Sequence, residues 1–221
     1  MDWQALRLSL ELAAVTLAVL LPPGLLLGRW LVRTRLAGKA WIEAAVMLPL
    51  VLPPTVLGYY LLVSLGGNSP LGRWAAEALG VQLSFNFLGL VIASVVFNLP
   101  FVVQPVQRAF EAIPGELGEA AAVSGLTRWQ AFWRVELPLA WPGVLTACVL
   151  TFVHTLGEFG VVLMIGGSIP GETRTIAIAI YDRVQAFDLA GADRMAALLA
   201  LLSLAAVALS FAASARLGWR R

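Results

Sequence analysis

The stretch Pro114 to Pro138, PGELGEAAAVSGLTRWQAFWRVELP, is the one long polar segment in the middle of an otherwise apolar chain. Its punctuation predicts a helix, a glycine corner and a second helix. Pro114 suits the first turn of a helix, where its missing N–H is not needed. Glu116 and Glu119 lie near the positive end of that helix, where acids are favoured. Gly125 fits the left-handed residue that closes a helix. Thr127 with Gln130 reads as a capping box that starts the second, short helix. Trp129, Phe132 and Trp133 then fall on one face, and Pro138 ends the segment. The expected picture is two short helices lying on a membrane surface between two spanning segments.

The flanking sequence supports that setting. Of 221 residues, 60% are apolar and 13% charged, far from globular averages. Five stretches lack charge for long enough to cross a bilayer, which takes roughly 20 residues. They do not alternate apolar and polar, so strands are excluded, and in lipid the backbone must satisfy itself within helices. The fold class is therefore an all-α integral membrane bundle of five helices, or six, read as one domain over residues 1–221 with the polar loop at about 109–138. The single Cys148 has no partner for a disulfide or a cysteine metal site. A net charge of +2 carries no nucleic-acid signal.

The start, MDWQALRLSLELAAV, has no basic leader and reads as an uncleaved first span, about Leu8 to Leu31. Pro22-Pro23 inside it predicts a kink or break. Span two, about Ala44 to Leu65, is interrupted by Pro49, Pro53 and Pro54, as helices that line a cavity or are buried in protein can be. GGNSPLGRWAAEALGVQ is a polar loop with room for one short interfacial helix. Span three runs about Asn86 to Val106, and span four about Leu139 to Gly157. TIAIAIYDRV, within the mixed segment that follows, is expected as an interfacial or re-entrant helix. Span five runs about Met195 to Ala215. One set of loops holds ten cations, Arg29, Arg33, Arg35, Lys39, Arg108, Arg128, Arg134, Arg216, Arg220 and Arg221, and the other set holds five. By that asymmetry the first set is cytoplasmic. The amino terminus is then outside and the carboxyl terminus inside. A sixth crossing near Ile176 to Val184 would disturb the pattern.

No G-x-x-x-x-G-K-[ST] is present, so ATP chemistry by a P-loop belongs to another chain. His154 and Glu158 share a helix face. A metal site usually wants three or four ligands, and there is no second histidine. His154 is expected as a pore-side or helix-packing polar residue. Glu158, an acid at a span end, is expected to be buried and paired with His154, Arg174 or Arg183. Thr55, Asn98, Thr151 and Thr155 are polar residues inside spans and are the candidates for a translocation pathway.

Glu119-Ala120-Ala121, Gly125 four residues on, and Val135-Glu136-Leu137-Pro138 resemble the EAA signature of binding-protein-dependent ABC importer permeases. That pattern is E-A-A, three residues, Gly, nine residues, Ile, any residue, Leu-Pro, and Val135 is the one departure. LPLVLPPTVLGY at Leu48 to Tyr59, LGEFG at Leu156 to Gly160 and IPGETRTI at Ile169 to Ile176 are similar to the molybdate branch of oxyanion importers. Sulfate permeases share a version of LGEFG.

The resemblance implies a homodimer, two cytoplasmic ATPase chains that bind ATP and Mg, and a soluble binding protein outside. No cofactor would be bound by this chain. It implies alternating access for molybdate and tungstate in the cytoplasmic membrane. Glu119, Ala120, Ala121, Gly125, Leu126, Arg128, Trp129, Leu137 and Pro138 would couple to the ATPase. Pro53, Pro54, His154, Glu158 and Arg174 would shape the gate region. A sulfate or thiosulfate permease is the alternative within transporters, and a membrane anchor without a pathway is the alternative of another class. The aromatic residues near Trp129 would serve equally as a headgroup anchor or as an ATPase contact.

Overall fold

The computed structural model describes residues 1–216. Its backbone is helical, with α1 (Trp3–Arg33), α2 (Lys39–Val51), α3 (Pro54–Leu65), α4 (Pro70–Leu79), α5 (Phe87–Glu111), α6 (Gly115–Val123), α7 (Arg128–Ala131), a π-helical turn (Phe132–Glu136), α8 (Leu137–Gly157), α9 (Gly160–Gly166), α10 (Ile176–Gln185) and α11 (Leu189–Arg216). Arg220 and Arg221 lie outside the described residues.

Helix α5 is the axis of the bundle, packed against α1, α8, α2 and α9. Two apolar clusters fill its two ends. At the near end, where α1 begins, Leu8 and Leu12 meet Leu57, Leu90, Phe97, Val161 and Ile178. At the corner end, where residues 114–138 lie, Leu20 meets Val102, Val106, Phe110, Phe132 and Val144. Close approach of α1 to α5 depends on Gly24 and Gly28. A Cβ on either would fall 2.3 Å from Val102 Cγ1 or 2.7 Å from Val106 Cγ1. Small residues four apart are a usual device for packing helices in lipid.

Among the described residues, four helical rods are long and apolar enough to cross a membrane, and α2 with α3 makes a fifth if the bent pair is one span. The pair is bent by 108° at Leu52-Pro53, where the prolines withhold backbone donors. Helix α2 packs at the corner end, with Val46 against Leu31 and Val103. Helix α3 packs at the near end, with Leu57 and Leu65 in that cluster. The bent pair therefore has one arm at each end of the bundle, as a broken fifth span would. Helix α10, with ten residues, is about 15 Å long, half of the roughly 30 Å hydrocarbon core. It makes no sixth crossing.

Three sequence expectations change. Pro22-Pro23 does not break α1, which runs unbroken for 31 residues. In lipid a broken turn would expose further backbone groups with no water to satisfy them, so the surrounding helix persists. Span three runs on to Glu111, because Gln107, Arg108 and Glu111 form a polar turn that carries the helix out of the apolar zone. The second short helix of the 114–138 segment is not a separate surface helix. Residues Arg128–Gly157 form one 30-residue rod, and Pro138 sits inside it. A proline ring clashes with the carbonyl four residues back. Here the backbone widens: the Leu137 N–H donates to Phe132 O, five residues back, and the π turn absorbs the proline.

The expected interfacial helix of the 66–86 loop is α4. Ser69 Oγ accepts from Gly72 N at 2.8 Å, and Gly80, at φ 68°, closes the helix.

Candidate functional site: a capped helical corner at one end of the bundle

The corner is built from local rules. Pro114 stands just before α6, at the cap position rather than in the first turn. Gly125 has φ 76°. The Leu126 N–H donates to Ala121 O and the Gly125 N–H to Ala122 O, both at 3.0 Å. Those two bonds form a Schellman closure. They explain the spacing of the motif, since Ala121, Gly125 and Leu126 are the positions the closure ties together. Ala121 is buried, while Glu119 and Ala120 are exposed. The next helix starts with the predicted capping box: Thr127 N donates to Gln130 Oε1 at 2.9 Å, and Gln130 N to Thr127 Oγ1 at 3.2 Å.

The corner is clamped to the bundle by a charge cluster that the motif does not reveal. Glu136 is 4% exposed. Arg29 Nε donates to its Oε2 at 2.6 Å and Arg29 Nη2 to its Oε1 at 3.2 Å. Arg33 Nη2 donates to Oε1 as well. Arg29 also reaches the Arg128 carbonyl at 3.4 Å and lies 5.0 Å from the centre of the Phe132 ring. Planar guanidinium suits such bidentate and stacked contacts together. The last turn of α1 thereby holds the π turn and the start of α7. A cleft of about 430 Å³ opens beside this clamp, lined by Arg33, Phe110, Leu117, Glu119 and Glu136 among others.

The three aromatic residues form one cluster with two exposures. Phe132 is 2% exposed and faces Phe110, whereas Trp129 and Trp133 are 57% and 51% exposed. Trp129 stacks on Phe132 at 5.4 Å. The expected single surface face is therefore two tryptophans seated on a buried phenylalanine.

A profile described as binding-protein-dependent transport system inner membrane component matches residues 21–219. The chain belongs to this family. It is 52% identical over 203 residues to the molybdenum transport system permease protein ModB of Azotobacter vinelandii, covering 91% of this chain and 89% of that protein. It is 38% identical over 209 residues to ModB of Escherichia coli K12, covering 95% and 90%. The sulfate transport system permease protein CysT of Escherichia coli K12 is 35% identical over 181 residues, covering 82% of this chain and 65% of that protein. In fold, a bacterial ABC transporter for the acidic polysaccharide alginate gives a TM-score of 0.79 at 20% identity, over 97% of this chain and 79% of that one. The MetNI methionine ABC transporter gives 0.70 at 19% identity, over 98% and 94%.

The remaining candidate residues of this inner membrane component divide into two groups. Asn98, Thr151 and Thr155 are buried within the single chain. His154 Nδ1 lies 3.1 Å from Asn98 Oδ1, Asn98 Nδ2 donates to Ser94 O at 2.8 Å, and Thr155 Oγ1 donates to Thr151 O at 2.7 Å. His154 also stacks on Phe101 at 3.9 Å. This is a polar seam between α5 and α8, and His154 packs within it. The second group lies at the near end. Pro53, Pro54 and Thr55 are exposed at the bend. A Cβ on Gly160 would meet Pro54 at 2.8 Å, so the bend sits directly on the start of α9, next to Glu158. The stretches 48–59 and 156–160, far apart in sequence, thus meet in space.

Glu158 is buried at 6% but has none of its expected partners. It accepts from Val161 N at 2.9 Å and closes the break between α8 and α9. Arg174 instead lies 3.1 Å from Asp182 and 3.7 Å from Asp2. Arg183 pairs with Asp188, and His154 is engaged with Asn98. The sequence reading missed Arg29, Arg33 and Glu136 as a unit. The available signal was the four-residue spacing of two arginines at a span end, together with an acid at the variable position of the motif.

Proposed function

We propose that this chain is the membrane subunit of an importer for molybdate, and for tungstate by its equal charge and similar shape. It would work as a homodimer with two cytoplasmic ATPase chains and an external binding protein, with the amino terminus outside and the carboxyl terminus inside. ATP and Mg would be held by the ATPase. The observation that carries the reading is the clamped corner at residues 114–138. It presents exposed Glu119 and Trp129 at the same bundle end as Arg29, Arg33 and Lys39, the end that charge asymmetry makes cytoplasmic. The 52% relative supports molybdate over sulfate as the cargo.

In this reading the ATPase pair grips the corner. Its closure moves α6 against the bundle, and the rigid rod 128–157 carries the movement to the near end, where the bent pair α2–α3 and the α8–α9 break form the outer gate. Burial of Asn98, Thr151 and Thr155 favours a role in holding α5 to α8 over direct contact with a passing anion. The chain would bind the oxyanion weakly, because a site that holds tightly releases slowly.

ATP-driven uptake of molybdate by the complex reconstituted in vesicles tests the proposal. Uptake is expected with the binding protein and ATP present, and should be outcompeted by tungstate well before sulfate. Equal competition by sulfate would move the cargo to the alternative. A photocrosslinker at position 129 tests the corner itself. Capture of the ATPase is expected, and capture of lipid alone would make the tryptophans a headgroup anchor.

A further inference from the structure

A second cleft, about 470 Å³, opens on the outer side of the clamp and is lined by Leu26, Arg29, Trp30, Arg33 and Arg128. Three arginines line it, and Glu136 is the one carboxylate bonded to any of the three among the described residues. Two positive charges are left over. Arg29 is immobilised by its bonds to Glu136 and the Arg128 carbonyl and by its stacking on Phe132. Arg33 and Arg128 are freer, with the Arg33 side chain 49% exposed. The site thus has one fixed arginine as a floor and two adaptable ones at its rim, an arrangement suited to a tetrahedral oxyanion.

Its position narrows the source of that oxyanion. Arg33 ends the membrane-crossing helix α1, and Arg128 begins the rod 128–157. Both therefore stand at headgroup depth. One wall is apolar and open: Leu26 is 50% exposed and Trp30 40% exposed, each within a turn of Arg29 on α1. Tryptophan is favoured at this depth, and basic pockets between spans take anionic headgroups. A free phosphate or molybdate would use the arginines but would gain nothing from Leu26 and Trp30. We infer that this cleft is a specific site for an anionic phospholipid, with the phosphodiester on Arg29, Arg33 and Arg128 and an acyl chain along Leu26 and Trp30. The bound lipid would fill the angle between α1 and the start of the rod, and would stiffen the corner from its membrane side. The inference is independent of which cargo is carried.

The test uses the full chain assembled with its ATPase in nanodiscs of phosphatidylcholine and phosphatidylglycerol in equal parts. Lipid retained after detergent extraction is read by native mass spectrometry. Preferential retention of phosphatidylglycerol is expected. The preference should fall about fivefold with Arg33→Gln and by a similar further factor with Arg128→Gln added. Arg73→Gln and Arg194→Gln, at the other end of the bundle, should leave it unchanged. A photoreactive phosphatidylglycerol on the wild-type complex should label the peptide containing Leu26 and Trp30, a readout that needs no variant. Unchanged retention in the double variant, or labelling spread evenly over the spans, overturns the lipid site. Displacement of the retained lipid by millimolar inorganic phosphate or molybdate would reassign the cleft to a free oxyanion.

Discussion

Gly125→Val is expected to abolish most uptake, by about tenfold or more, while the chain still reaches the membrane and the ATPase still turns over. Gly125 sits at φ 76°. An L-residue in that conformation costs about 1–2 kcal/mol, and a β-branched one more. A shift of about 1.4 kcal/mol away from the closed corner is already tenfold in its population. The cost is not one of space, since no heavy atom lies within 4 Å of a Cβ built at Gly125. The order of substitutions is therefore set by backbone preference alone. Asn enters the left-handed region readily and should keep most uptake, Ala should lose several-fold, and Val should lose most. Uptake and ATP hydrolysis measured on the same vesicles decide it. If Gly125→Asn is as damaging as Gly125→Val, close approach of a partner to this glycine replaces the conformational account. Glu119→Lys, which reverses an exposed charge on α6 without touching the closure, should uncouple uptake from hydrolysis to a lesser degree.

What the sequence discloses here is local chemistry. The left-handed Gly125, the capping box of Thr127 and Gln130 and the bend at Pro53-Pro54 follow from residue types that admit few backbone choices, and each is found. Where the sequence misleads, it does so by treating proline as a stop. Pro138 and Pro22-Pro23 lie inside continuous rods, because a membrane helix gains more from remaining helical than it loses at one missing donor. The other misreadings concern partners. Glu158 was expected to seek a cation but is bonded by a backbone amide three residues on. Glu136 finds Arg29 and Arg33 at sequence separations of 107 and 103 residues. Spacing marks the two arginines as one patch at a span end, but it does not say which distant acid they take. The site was therefore legible as a corner and illegible as a clamp.

Glu136→Gln should weaken the protein more than any other single change to a charged side chain at the corner end. Glu136 and Arg29 are 5% and 18% exposed in their side chains. Removing one partner of a buried pair leaves the other charge uncompensated, at about 3–5 kcal/mol. Arg33, at 49%, can turn to water or to the lipid cleft, so the expected cost is nearer ~2 kcal/mol. The thermal aggregation midpoint of the purified complex should fall, and the accessibility of a cysteine placed at position 128 should rise as the rod detaches from α1. Because Glu136 is buried, it acts on coupling by position. Uptake should fall further than ATP hydrolysis in the fraction that remains folded. The double variant Arg29→Gln with Glu136→Gln removes the orphaned charge as well as the pair, and should recover part of the lost stability. Glu136→Asp keeps the charge but shortens the reach that makes the Arg29 contact bidentate, so it should fall between wild type and Gln. A double variant destabilised by the sum of the two single variants would mean that the pair contributes nothing beyond its separate groups, and that Phe132 and the π turn hold the corner by packing.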